Sequence, residues 1–334
     1  MNSVTAQPTF LQKLSIFRRS QRFVRFVDLA GQWAAPITSI LVMIIAAIYA
    51  PAFFSPSNLK TIAIQIAILG VVAVGQTLVL LVRSIDLSVS AVLALGAVIV
   101  VQTEAGNSLA ISLIQAFGIA ALIGFANGFL VAKRQVPPFV ATFGMLVFIQ
   151  GARMAVSKGQ ASGTVPPFLR EMSIEQVGFI PAAVLVWLVV NIVVFFVLRY
   201  TRFGRWIYAV GGSPEASRYA GIKVDWVVIG AHTACTVLAM LGGLLLSGYI
   251  GYVDLRLGAD YNTNSIAAAI VGGTTFTGGR GNLFGTAAGT ALLILLLNLV
   301  VVIGLPIHWQ LATQGLVLVL AVALQGFRQF LLSR

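Results

Sequence analysis

The feature that most constrains this chain is a series of unbroken apolar runs, such as Ile180 to Leu198 and Leu283 to Ile303. Each is close to the ~20 mainly apolar residues that an α-helix needs to cross a bilayer. Ten segments of this kind can be marked, at 33–50, 62–82, 87–103, 109–131, 137–155, 179–198, 226–249, 263–277, 283–303 and 309–327. A transmembrane barrel would alternate apolar and polar residues over segments of roughly 10, and these runs do not alternate. The fold class expected is therefore all-α: a polytopic transmembrane helical bundle of about ten spans with broken helices. Composition agrees, because only 9% of the residues are charged and 59% are hydrophobic, against roughly 25% charged in a soluble domain. The one cysteine, Cys235, sits inside an apolar run, so cysteine usage says nothing of the redox compartment.

Charge sets the orientation. With a cytoplasmic N-terminus, sixteen of the 21 Lys and Arg residues fall inside, and Lys60, Arg153, Lys158, Arg170 and Arg256 fall outside. The positive-inside rule then puts both termini in the cytoplasm. The acidic Glu104, Glu171, Glu175, Asp254 and Asp260 all fall outside. The net charge of +12 thus expresses topology; membrane lipid is an expected partner and nucleic acid is not. Residues 1–32 are expected to form a cytoplasmic segment in which Phe10, Leu14, Phe17, Val24 and Val27 keep helical spacing among basic residues. An interfacial amphipathic helix fits that pattern, with a disordered basic tail as the alternative. Residues 33–334 form the transmembrane domain, with a long cytoplasmic loop at 199–225. The longest outer link, Arg153 to Gly178, is mostly polar and is expected on the outer face.

Ionisable groups for catalysis or ion coupling are scarce. No metal-ligand cluster, carboxylate pair or Ser/His/Asp arrangement can be assembled from sequence, so no catalytic residue, metal site or cofactor is expected. His232 and His308 read as structural or interfacial residues. A phosphate-binding P-loop needs a lysine directly after its glycine turn, and none of Lys13, Lys60, Lys133, Lys158 and Lys223 stands in that context. Any nucleotide energy must therefore come from another subunit.

Three motifs organise the apolar part. In VGQTLVLLVRSIDLSVSAVLALG, from Val74 to Gly96, the residues Arg83, Ser84 and Asp86 interrupt the apolar run. Asp86 there reads equally as a cap of the following helix or as a gating residue. In AAAIVGGTTFTGGRGNLFGTAAGTALL, from Ala267 to Leu293, Gly281, Gly285 and Gly289 recur at every fourth position, which expects one shared helix face for close packing; Gly124 and Gly128 form a shorter version. In TRFGRWIYAVGGSPEASRYAGIKVDW, from Thr201 to Trp226, Ser213 is a good N-cap, Pro214 suits the first helical position, Glu215 complements the positive helix end and Gly221 can terminate the turn. A short extramembrane helix is expected, serving either as a connector or as a docking element for a cytoplasmic partner.

With these motifs in view, the sequence resembles the permease subunits of ABC importers for monosaccharides, of the ribose, xylose and arabinose type. The matching pieces are IDLSVS at Ile85 to Ser90, VPPFVATFGMLVFIQGAR at Val136 to Arg153, TRFGRWIYAVGGSPEASRYAGI at Thr201 to Ile222 and IVGGTTFTGGRGNLFGTAAG at Ile270 to Gly289. They run in family order over most of the chain. Two positions depart: the family usually has glycine where Ser84 and Ser90 stand. The resemblance implies a multi-pass subunit of the bacterial inner membrane that moves a monosaccharide, or a related small polyol or sugar derivative, by alternating access. It also implies separate ATP-binding cassette subunits, a periplasmic sugar-binding protein and a second permease copy or paralogue as partners. Carried over by position, Gly204, Glu215, Ala216, Arg218 and Gly221 would couple to the ATPase, and Asp86 and Ser88 would lie at the pathway or its gate. Gln76, Asn127 and Thr142 are further pathway candidates, because a sugar is held by hydroxyl and amide groups. The rival from another class is a secondary carrier acting without an ATPase.

Overall fold

A computed structural model describes residues 21–104, 108–158, 165–252 and 257–333. Among them the chain is almost wholly helical: α1 (Gln21–Tyr49), α2 (Pro56–Leu81), α3 (Val89–Glu104), α4 (Leu109–Ala132), α5 (Pro138–Ser157), α6 (Pro167–Ile174), α7 (Ala182–Tyr200), α8 (Arg202–Gly212), α9 (Pro214–Tyr219), α10 (Val224–Ile250), α11 (Tyr261–Val271), α12 (Leu283–Val302) and α13 (Ile307–Ser333). A two-residue antiparallel ladder, Gln176–Val177 with Ile180–Pro181, is the sheet present. Of the amphipathic pattern expected near the start, Phe10, Leu14 and Phe17 lie outside the described residues, while Val24 and Val27 lie on α1, which runs without a break through residues 32 and 33.

Each of the ten apolar segments falls on a helix, and among the described residues six helices (α2, α4, α5, α7, α10 and α12) are long and apolar enough to cross a membrane. The eighth expected span, 263–277, needs correcting. Its helix α11 has 11 residues and stops at Gly272, so at about 1.5 Å per residue it covers roughly 16 Å, about half of a ~30 Å hydrocarbon layer. The Gly272-Gly273 pair ends it, Gly273 taking φ +92 where a side chain is disfavoured. The chain then reaches α12 through an irregular segment, and α12 is capped by the Asn282 side chain, which accepts from the Gly285 amide at 2.7 Å.

Helices α2 and α10 form the centre, and nearly every residue of α2 from Ile62 to Leu81 is buried. Helix α10 packs against α2, α3, α4, α6 and α8, while α1, α11, α12 and α13 build the neighbouring part of the bundle against α2. Close approach here depends on missing side chains. A Cβ on Gly124 or Gly128 would strike the α10 backbone near His232 or Ile229, and one on Gly285 or Gly289 would strike α11 at Gly272 or Ala268. Gly281 does not share that face: it precedes the Asn282 cap at φ +152 and packs on Thr274, because the helix starts only at Leu283. Polar groups join helices where apolar packing alone gives no register. Thr77 of α2 and Thr286 of α12 pair through their hydroxyls at 2.7 Å, and Asn58 and Asn298 exchange two amide bonds of 2.9 Å.

Candidate coupling and gating site

The interruption between α2 and α3 brings several polar side chains inside the bundle. Helix α2 ends at Leu81, and Arg83 takes φ +63, a left-handed conformation that costs a non-glycine residue on the order of 1 kcal/mol or more. Two bonds hold it there. Arg83 donates from Nε to the Gly211 carbonyl at 2.6 Å and from a terminal nitrogen to the Gly212 carbonyl at 2.5 Å. Those carbonyls belong to the last turn of α8, where free acceptors and the negative helix end favour a cation.

Just beyond Arg83 the fold assembles a buried network. Asp86 and His232 are fully buried, with Nδ1 of the ring 3.1 Å from the carboxylate. The other ring nitrogen, Nε2, lies within hydrogen-bond distance of the Ser84 hydroxyl, 2.8 Å away. Asp86 Oδ1 accepts from the Ser88 amide at 2.9 Å and the Ser88 hydroxyl at 2.6 Å, so the carboxylate caps the start of the next helical stretch. Asn127 of α4 donates to Ser88 Oγ at 2.9 Å and lies 3.3 Å from Asp86. Thr142 of α5 accepts from the Leu87 amide at 3.0 Å. Four of the five expected pathway positions, Asp86, Ser88, Asn127 and Thr142, are thus one cluster on α4, α5 and the break. Gln76 sits apart on α2, its Oε1 accepting from Cys235 Sγ at 3.8 Å. All five side chains are fully buried.

From sequence alone His232 reads as a structural or interfacial residue, and no Ser/His/Asp arrangement can be assembled. The fold supplies one: Ser84, His232 and Asp86 stand in bonded order, although His232 is 146 and 148 positions away from its two partners. The order matches that of a nucleophilic triad, but the Asp86 carboxylate is shared with Ser88 and Asn127, and burial leaves the group to fix the geometry of the break. The signal available in sequence was the polar Ser84 and the polar His232 within apolar surroundings, each needing a buried partner.

The loop between α7 and α10 carries the expected helix and one more. Ser213 Oγ accepts from the Ala216 amide at 3.2 Å, Pro214 opens α9, Glu215 lies in its first turn, and Gly221 closes the turn at φ +79. Preceding it, α8 is capped by Thr201, whose hydroxyl accepts from the Gly204 amide at 3.2 Å, and Gly204 lies too close to the end of α7 for any side chain. Phe203, Ile207 and Val210, at helical spacing in the sequence, put an apolar face onto the bundle. Asp225 at the start of α10 pairs with Lys133 at 2.8 Å and with Arg218 at 3.4 Å. The basic ends of α2, α4 and α9 therefore gather at one end of the bundle.

The irregular segment before α12 meets the same place. Gly279 donates its amide to the Leu81 carbonyl at 2.9 Å, and Tyr208 of α8 donates to the Gly281 carbonyl at 3.1 Å. A Cβ on Gly211 would strike both Leu81 and Gly279. The short helix α11 and its extension thus carry the chain to the end where Arg83 lies. Among the described residues, no group of three or more His, Cys, Asp or Glu is placed to hold a metal ion.

Comparison with known proteins bears on this arrangement. A family model described as the branched-chain amino acid transport system / permease component matches residues 58–322. The chain is 33% identical to the fructose import permease protein of Rhizobium meliloti over 330 residues, 95% of this chain and 88% of that one. It is 33% identical to the ribose import permease protein of Escherichia coli K12 over 301 residues, 88% of this chain and 93% of the other. It is 28% identical to the autoinducer 2 import system permease protein of Escherichia coli O9:H4 over 314 residues, 93% and 91% of the two chains. No solved structure matches the chain.

Proposed function

The chain belongs to the family of branched-chain amino acid transport system permease components, and from that premise we propose that it is the membrane-spanning permease of an ATP-driven importer for a monosaccharide or a related small polyol. It is a transport subunit and not an enzyme; ATP is hydrolysed by separate cassette subunits. The observation that carries the reading is the match of import permeases over about nine-tenths of the chain, with two of those relatives named for the monosaccharides ribose and fructose. A secondary carrier is not favoured.

The finer assignments rest on the resemblance to sugar import permeases, with charge setting the orientation. A second permease, identical or paralogous, faces this one across the translocation pathway, and lipid covers the remaining exposed apolar helix faces. Both termini lie in the cytoplasm of a bacterial cell, which puts α8 and α9 against the ATPase, with Gly204, Glu215, Ala216, Arg218 and Gly221 in the coupling segment. A periplasmic sugar-binding protein delivers the solute on the opposite face, where α6 and the exposed Phe179 lie. Because Asp86, Ser88, Asn127 and Thr142 are buried inside one permease, they act on the gate by holding the broken helix, and alternating access follows from rigid-body movement of the docked loop helices.

Purification from native membranes tests the assignment. The tagged chain is expected to bring with it an ATP-binding cassette subunit, and the binding protein of the same system to be stabilised in thermal melts by a monosaccharide. A chain that isolates without an ATPase and sustains coupled uptake alone contradicts it.

A further inference from the structure

Beyond the coupling segment itself, the structure shows a continuous bonded path from that segment to the buried network. Helix α8 ends at Gly211 and Gly212, and both carbonyls are held by Arg83. The next residue, Ser84, bonds His232, which bonds Asp86; Asp86 fixes Ser88, and Asn127 of α4 closes the group. Arg83 thus joins an extramembrane helix to the interruption of a central membrane helix through two charge-assisted bonds. The junction is tightly packed on its other side, where Gly279 bonds Leu81 and Gly211 leaves no room for a Cβ. Against it, a cavity of about 290 Å³ lies between Arg83, Ser84, Gln135, Pro214 and Arg218. Helix α8 is therefore clamped to the break by Arg83, and the cavity borders α8 at Val210 as well as α9 at Pro214 and Arg218.

We propose that Arg83 is a positioning residue for transport: it transmits displacement of α8 to the Ser84–His232–Asp86 network and so makes the conformation of the broken helix follow the ATPase. The inference rests on the importer reading above. Its physical basis is that a clamp with two discrete bonds is either made or broken, and a packed junction passes a displacement on instead of absorbing it. The left-handed backbone at Arg83 fits this role, because glycine would be the unstrained choice there and its side chain would provide no link.

The test compares wild type, Arg83→Gly and Arg83→Lys in the full importer reconstituted in proteoliposomes, with the full-length permease alone in nanodiscs as a second arm. Glycine suits φ +63, so Arg83→Gly should fold, assemble and keep basal ATP hydrolysis. Its sugar uptake per ATP hydrolysed is expected to fall by about tenfold, within the range of ordinary site-to-site couplings. Arg83→Lys, a single charge without the fork, should recover part of the ratio. In the permease alone, amide hydrogen exchange of Arg83→Gly should quicken at Leu87 and Ser88, whose amides are held by Thr142 and Asp86, as well as near Gly211. An unchanged uptake-to-ATP ratio overturns the proposal, as does faster exchange confined to the immediate neighbours of positions 83 and 211. Should wild type itself show no ATP-dependent uptake, the importer reading fails, and the exchange arm still decides whether Arg83 links the two regions.

Discussion

At Asp86 several buried polar bonds converge. Its carboxylate serves His232, both donors of Ser88 and the amide of Asn127, all away from solvent. Removing the carboxylate strands several buried donors at once, each at a cost of roughly 1 to 3 kcal/mol. Asp86→Ala should therefore lower the apparent melting temperature of the solubilised permease markedly. Ser84→Gly, which leaves only the second ring nitrogen of His232 without its bond, should cost about 1 to 3 kcal/mol. Fluorescence-detected size exclusion after heating ranks the two variants; an Asp86→Ala protein as heat-stable as wild type would show that the network holds nothing. The residue scale also shows where sequence reading stops. The choice between cap and gate for Asp86 could be posed from its neighbours, and the capping of Ser88 answers the first half. The partnership with His232 could not be posed, because it joins residues 146 positions apart and depends on how α10 lies against α2.

At the scale of elements, local codes were legible and tertiary ones were not. The Ser213-Pro214-Glu215 start wrote α9 into the loop, and the structure has that helix with that cap. Helix α8 carries a similar local signal, with Thr201 as cap and Phe203, Ile207 and Val210 on one face. The expectation for Gly281 failed because a four-residue spacing places residues on one face only if they share a helix, and the Asn282 cap intervenes. The coupling loop allows a prediction at this scale. Glu215→Lys puts a positive charge at the positive end of α9, losing on the order of 0.3 to 1 kcal/mol from a helix outside the bilayer. Expression and membrane insertion should persist, while stimulation of ATP hydrolysis by loaded binding protein falls sharply. Normal stimulation in Glu215→Lys, Arg218→Glu and the double variant would make the loop a passive connector.

At the scale of the whole molecule, the ten apolar segments fixed the helical class, but length alone misjudged α11, whose apolar pattern runs past the glycines that end the helix. Half-length helices still carry the chain across because irregular backbone is tolerated where protein surrounds it. Arg83, Lys133 and Arg218 gather at one end of the bundle, as a shared membrane side for the three requires. Alkaline-phosphatase fusions are expected to be active after Lys158 and inactive after Lys133 and Arg218, and an active fusion at Arg218 inverts the arrangement. The central claim is that this bundle moves a sugar only when ATPase subunits drive its docked loop helices. The most direct measurement is sugar uptake by proteoliposomes containing the permease, its ATPase and loaded binding protein, with ATP enclosed on the cytoplasmic side and ionophores present. Accumulation that requires ATP, stops with vanadate and ignores the ionophores is the expected result; uptake that persists without ATP and collapses with the ion gradient would contradict it.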